Sequence, residues 1–288
     1  MSARFERIYE KNLVEIFKVT PNLYFRKADL MLRGQCNGAY VVAGDMVGVV
    51  DVPTLEGAHE IVEESRLLFG HPVSFIFITH GHGDHLDGLP VFLDQGVTIF
   101  CSERLVRQLP EARAADRATV VGVRDRTSVR MAGLEVECHA LEGTVHSPWD
   151  MVIRVPRDRL LCTGDTVVDL SILHFHSANV ENWITVLKRL SAAPDKLVLP
   201  GHGDIYPYSK VDECADFIET LRRAGERCLS RLSAEEIRNI SENRINEIVS
   251  GYLSDGEPDA IRIRDSAGVG AVRELRMVLR YLLYRELR

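Results

Sequence analysis

Short apolar runs separated by turn residues dominate the first two-thirds of the chain. The run Val73-Ser74-Phe75-Ile76-Phe77-Ile78-Thr79 is almost wholly apolar or β-branched, the pattern of a buried strand. Residues 14–19, 23–26, 38–43 and 46–51 read as antiparallel strands, with Ala43-Gly44-Asp45 as a hairpin turn. Thr54 is placed to cap a helix to about Phe69, in which Ala58, Ile61, Val62 and Leu68 share one side. A helix near 87–95, a strand at 97–101 and a helix from Glu103 follow. The next stretch predicts strands near 118–121, 127–131 and 134–141, then a hairpin of 151–155 and 160–163 that turns at Pro156-Arg157-Asp158-Arg159. A helix near 180–192 and a strand at 196–199 complete this part. From residue 208 the period becomes helical, in four or so segments with breaks at Gly225, at Ser233 and from Gly251 to Pro258. The last segment, 269–287, aligns Val272, Leu275, Val278, Leu279, Leu282 and Leu283 on one stripe, which either packs within the chain or forms a homodimer contact. The chain therefore divides into an α/β part, 1–207, and a helical extension, 208–288.

Composition narrows the class more than it names it. A chain of 288 residues is long enough for a sizeable core. Its net charge of -7 gives no electrostatic reason to expect nucleic acid or an acidic membrane as partner. The six cysteines (Cys36, Cys101, Cys138, Cys162, Cys214 and Cys228) are dispersed without a Cys-x-x-Cys pair, and are expected to be reduced and buried. The start, Met1 to Arg7, lacks the apolar stretch of a signal peptide, and no segment approaches a membrane span. A cytoplasmic protein is the default expectation.

Candidate chemistry concentrates at His80-Gly81-His82-Gly83-Asp84-His85, directly after the strongest strand. Four metal-ligand side chains fall within six positions, and the two glycines let them converge. This spacing resembles the His-x-His-x-Asp-His signature of the metallo-β-lactamase-fold superfamily. Three further motifs extend the resemblance in the family's order: His146 in Gly143-Thr144-Val145-His146-Ser147-Pro148, Asp165 in Cys162-Thr163-Gly164-Asp165-Thr166, and His202 in Pro200-Gly201-His202-Gly203-Asp204. The match runs from about residue 35 to 205.

The resemblance implies an αββα sandwich with its site along one edge. It implies that His80, His82 and His146 hold one metal and Asp84, His85 and His202 a second, with Asp165 bridging. Zinc is the first expectation for the two divalent ions, and iron or manganese suits the same donors. A metal-bridging hydroxide is then the nucleophile, which Asp84 orients or relieves of a proton. Asp51 matches a family aspartate that usually lies behind the ligands, although a turn or capping role is equally open. His139 competes with His146 for the third-ligand role, but the distance of His146 to Asp165 and its following Ser-Pro fit the family pattern better; His59 and His71 read as solvated or structural. The segment 170–179 often lines the substrate pocket in the family, which makes His174 and His176 pocket candidates. Trp149 and Phe175 are either pocket walls or core.

Asp165 stands where true β-lactamases of this fold generally place cysteine or another residue, which disfavours antibiotic hydrolysis. The expected reaction is hydrolysis of an ester, lactone, thioester or amide-like carbonyl in a small molecule, with no membrane partner. Four alternatives stay open: a hydroxyacylglutathione-type thioesterase using Arg222, Arg223 and Arg227, a persulfide dioxygenase with one iron, a metal-dependent phosphodiesterase or nuclease, and a ligand-binding regulator on the same fold.

Overall fold

Alternation along the strands sorts side chains into three apolar layers. The computed structural model describes residues 4–28 and 33–286, so residues 1–3, 29–32, 287 and 288 lie outside the described part. One sheet holds eight strands in sequence order: β1 (Glu6–Lys11), β2 (Val14–Lys18), β3 (Leu23–Ala28), β4 (Gly38–Ala43), β5 (Met46–Val50), β6 (Val73–Phe77), β7 (Thr98–Ser102) and β8 (Thr119–Val123). The first four pairings are antiparallel, and β5 through β8 run parallel. The second sheet orders β9 (Arg126–Met131), β10 (Leu134–Ala140), β11 (Met151–Val155), β12 (Leu160–Gly164), β13 (Leu197–Pro200) and β14 (Tyr206–Pro207) as 14-13-12-11-10-9.

Odd and even positions of each strand take opposite faces. In β4, Ala39, Val41 and Ala43 turn to the layer between the sheets, where Met151, Ile153 and Val155 of β11 meet them. Tyr40, Val49 and Ile76 turn outward against Ala58 and Ile61 of helix α1 (Leu55–Phe69). On the far side, Val152, Leu161 and Val198 share one cluster with helices. Those helices include α5 (Val180–Leu190), α6 (Lys210–Ser230), α8 (Glu242–Ser254), α9 (Pro258–Ala267) and α10 (Ala271–Glu286). The result is an αββα sandwich. Burying each large aliphatic side chain in these layers contributes roughly 1.5–3 kcal/mol.

Several elements differ from the sequence expectation. In place of one helix near 87–95, a short α2 (Gly83–Leu86) is followed by a 3-10 turn (Leu89–Phe92), because Pro90 cannot continue an α-helical ladder. The helix from Glu103 stops early as α3 (Glu103–Val106), and α4 (Pro110–Ala114) restarts at a proline. Strand β1 was not foreseen: its six residues show no buried position. Gly225 does not break a helix, since α6 runs through it. Ser233 does cap one, forming a capping box with Glu236 at the start of α7 (Ala234–Asn239). The C-terminal stripe is turned into the chain: Leu275, Val278, Leu279, Leu282 and Leu283 are buried, and only Val272 is exposed. All six cysteines are free and buried. Among the described residues, no helix is long and apolar enough to cross a membrane.

Candidate metal centre

The cluster lies where strands of both sheets end. From the first sheet, β5 exits into Asp51 and β6 into Thr79-His80, and α2 then carries Asp84 and His85. From the second sheet, the β10–β11 connection presents His146, β12 exits into Asp165, and β13 exits into Gly201-His202. Glycine is required for this convergence. A Cβ at Gly201 would lie 2.4 Å from Asp165 Oδ1 and 2.6 Å from His85 Cε1, and one at Gly164, where φ is +49°, would lie 2.3 Å from Thr79 Oγ1.

Two donor groups share one carboxylate. In the first, His82 Nδ1 lies 3.0 Å from His80 Nε2 and 3.1 Å from His146 Nε2. Asp165 Oδ2 stands 3.9 Å from His80 Nε2 and 3.6 Å from His146 Nε2. In the second, Asp84 Oδ2 is 3.0 Å from His202 Nε2 and 3.6 Å from His85 Nε2. Asp165 again closes the group, at 3.5 Å from His202 Nε2 and 3.3 Å from His85 Nε2. Three imidazole nitrogens aimed at one another satisfy no hydrogen bond well, because a neutral imidazole offers one donor and one acceptor. His85 Nε2 and Asp165 Oδ1 are buried without a hydrogen-bond partner. Buried unpartnered polar atoms are unfavourable, and a cation between them removes the penalty. The residues therefore fit divalent metal, and each group has the donor chemistry of a first-row transition ion.

Electrostatics agree with that fit. Burial pushes His80 well below its ordinary value, with the neighbouring His85 acting in the same direction, and burial pushes His146 down to about 3. Both thus present lone pairs. For Asp165, burial acts upward but is outweighed by His202, His85 and His80, so the carboxyl is held well below the usual range. His85 goes the other way: burial acts downward but Cys36, Asp165 and Asp51 outweigh it. Positive charge is favoured at that point, which is what a metal provides.

Partners behind the donor side chains set their orientation. Asp51, buried with φ of +60°, accepts from Thr79 N and Thr79 Oγ1, both at 2.7 Å, and sits 2.8 Å from His85 Nδ1. That contact leaves Nε2 of His85 facing the site. Ser177 Oγ donates to the His146 carbonyl and lies 3.2 Å from His82 Nε2, which fixes the His82 ring with Nδ1 inward. Asp150 accepts from Ser147 N and Oγ and so closes the His146 turn. Sequence reasoning did not single out Asn37, Cys36, Thr79 or Ser177. Asn37 Nδ2 donates to the carbonyls of Pro200 and Gly203, tying the His202 loop to the first sheet across 163 positions.

The remaining candidates separate. His139 pairs with Glu137 at 2.8 Å and is absent from the donor groups, whereas His146 is in one. His174 is exposed, with its ring 6.3 Å from His82 and 6.5 Å from His146. His176 is exposed 6.1 Å beyond it. Phe175 is buried and packs on Trp183 at 5.4 Å, inside the core. Trp149 is half-buried and covers Gly81, whose Cβ would meet the indole at 2.6 Å. Arg222, Arg223 and Arg227 pair with Glu226, Asp259 and Glu257 on the helical extension. A groove of about 720 Å³ opens beside His202, lined also by Lys27, Ile172 and Tyr206.

Known proteins share this frame. The chain is 30% identical over 104 residues to ribonuclease J 1 of Streptococcus pyogenes serotype M3, covering 34% of this chain and 19% of that protein. It is 22% identical over 201 residues to the atrochrysone carboxyl ACP thioesterase of Aspergillus novofumigatus, covering 66% and 57%. It thus spans well under two-thirds of either relative. In fold it is similar to the metallo-beta-lactamase from Pontibacter korlensis, with a TM-score of 0.62 at 22% identity over 72% of this chain and 99% of that one. The sequence profile of the metallo-beta-lactamase superfamily matches residues 34–202, more than half of the chain and every residue of the two donor groups. This chain belongs to the metallo-beta-lactamase superfamily.

Proposed function

We propose that the chain is a dinuclear metal-dependent hydrolase acting on an ester, lactone, thioester or amide-like carbonyl of a small molecule. One observation carries this reading: Asp165 faces both imidazole groups, with Oδ2 toward His80, His146 and His202 and an unpartnered Oδ1 toward an unpartnered His85 Nε2. When bound, two divalent ions, zinc first among the candidates, supply Lewis-acid polarisation of the carbonyl and activation of water near neutral pH. The chain's own residues do the rest. Asp84 is the most accessible of the acidic donors, with 29% of its side chain exposed, and places a carboxylate at the mouth. There its oxygens can accept a proton from the attacking water and return it to the leaving group. Asp51 holds His85 in register, and the groove beside His202 gives a small molecule room to lie along the site. The thioesterase relative supports an acyl substrate; the ribonuclease relative is matched over only 19% of its length.

The test is metal quantification on purified protein, run with a panel of lactone, thioester, β-lactam and phosphodiester substrates. Two metals per chain and turnover of an acyl substrate are expected, and His85→Ala should lose one metal and at least 100-fold in kcat/KM. One metal per wild-type chain, or full activity in His85→Ala, would overturn the reading.

A further inference from the structure

At the ends of β7 and β8, a groove of about 710 Å³ is lined by Arg104, Arg107, Arg113 and Arg124, together with Glu103 and Val106. In a chain of net charge -7, four guanidiniums against one carboxylate reverse the local sign. Arg124 uses both faces of its fork on Glu103, at 3.0 and 3.2 Å. Arg104 donates to the carbonyls of Leu141 and Gly143, which neutralise no charge and anchor the loop leading to His146. Arg107 lies in the field of Glu103, yet neither it nor Arg113 has a side-chain hydrogen bond or ion pair among the described residues. Both are exposed, so the groove presents two planar forks without a protein partner and a surplus of positive charge.

We propose that this groove binds the phosphate group of a small-molecule substrate and holds it while the acyl bond reaches the metal centre; the second half rests on the hydrolase reading above. Guanidinium forks match phosphate oxygens two at a time, and a phosphate monoester carries about 1.5 to 2 charges at neutral pH. That is enough to bind against the opposing Glu103, where a lone carboxylate would gain less. The groove is also in the right place. Strands β6, β7 and β8 are adjacent and parallel, and exit into His80, Glu103 and Arg124 in turn. Two strand spacings put the groove about 10 Å from the His80 exit. Leu105, beside Arg104, packs directly on the metal loop, where a Cβ at Gly81 would lie 2.9 Å from it.

The experiment titrates inorganic phosphate into the metal-loaded protein and follows the arginine Nε–Hε resonances, which separates this site from phosphate on the metals. Saturable shifts at Arg107 and Arg113 are expected, with affinity at least 10-fold weaker in the Arg107→Ala/Arg113→Ala variant. Hydrolysis of an uncharged aryl ester, read in parallel, should be unchanged by that variant. Equal phosphate affinity in both proteins overturns the site whatever the ester assay gives. Shifts with an oligoribonucleotide but none with inorganic phosphate also overturn it, in favour of a polynucleotide track. Saturable phosphate shifts without acyl hydrolysis by either protein keep the phosphate site but overturn its assignment to the substrate.

Discussion

Two buried carboxylates show how environment alone decides the state of a single residue. Asp165 is surrounded by imidazoles and stays ionised, whereas Glu274 of α10 is fully buried with one atom, Oε2, unpartnered, and burial pushes its carboxyl up to about 8. Arg273 at 3.3 Å and the backbone near Leu173 act against the shift, and Asp169 acts with it. The folded chain therefore keeps a proton on Glu274 where the unfolded chain, with an ordinary glutamate near 4.3, has lost it. Stability from this group is fully present below about pH 4, falls as pH rises, and is gone above about pH 8. Replacing Glu274 with glutamine removes the loss. The expected result is a variant whose urea-unfolding free energy exceeds wild type by an amount that grows between pH 5 and 8 and levels at a few kcal/mol. A difference that does not change with pH would show that Glu274 is already ionised in the folded chain.

Two glycines on one helical face of the problem, Gly225 in α6 and Gly251 in α8, read alike in sequence and behave differently in the fold. Both sit inside helices, where glycine is about 1 kcal/mol less favourable than alanine. A Cβ at Gly225 would lie 2.9 Å from Leu282 Cδ1 and 3.3 Å from Val278 Cγ1 in a closed core, while one at Gly251 would meet nothing within 4 Å. Overpacking costs about 1–3 kcal/mol, which exceeds the propensity gain. Gly225→Ala should thus destabilise by about 1 kcal/mol and Gly251→Ala should stabilise by about the same, read as opposite shifts of the urea midpoint. Two shifts of the same sign would sink the argument. The same contrast marks what the sequence makes legible. The cluster from His80 to His85 could be read because its side chains are neighbours in the chain, and β6 because both of its faces are apolar. Strand β1 could not, since an edge strand with exposed Glu6, Arg7, Glu10 and Lys11 carries no burial pattern. Gly225 could not either, because its reason lies some fifty residues away on α10.

At the scale of the whole molecule, the candidate metal centre is placed to clasp the sheets together. Asp84 and His85 come from connections of the first sheet and His146, Asp165 and His202 from the second, so a bound ion closes long loops that otherwise rely on the inter-sheet core and on Asn37. Net composition conceals such local features: an overall charge of -7 contains an arginine groove, and an apolar fraction says nothing of where four loops meet. An ion that binds only the folded chain stabilises it by mass action, about 4 kcal/mol at a free concentration of 1,000 times its Kd. For a chain of this size that corresponds to on the order of 10 °C in Tm. Chelation followed by dialysis should lower Tm by that amount, and two equivalents of zinc should restore it. Asp165→Asn, which weakens both donor groups, should lose most of the metal-dependent increment, whereas His85→Ala should keep the part due to His80, His82 and His146. If the stripped protein, verified free of metal by atomic spectroscopy, melts where the loaded one does, the clasp carries no stability and the sheets are held by their apolar core alone.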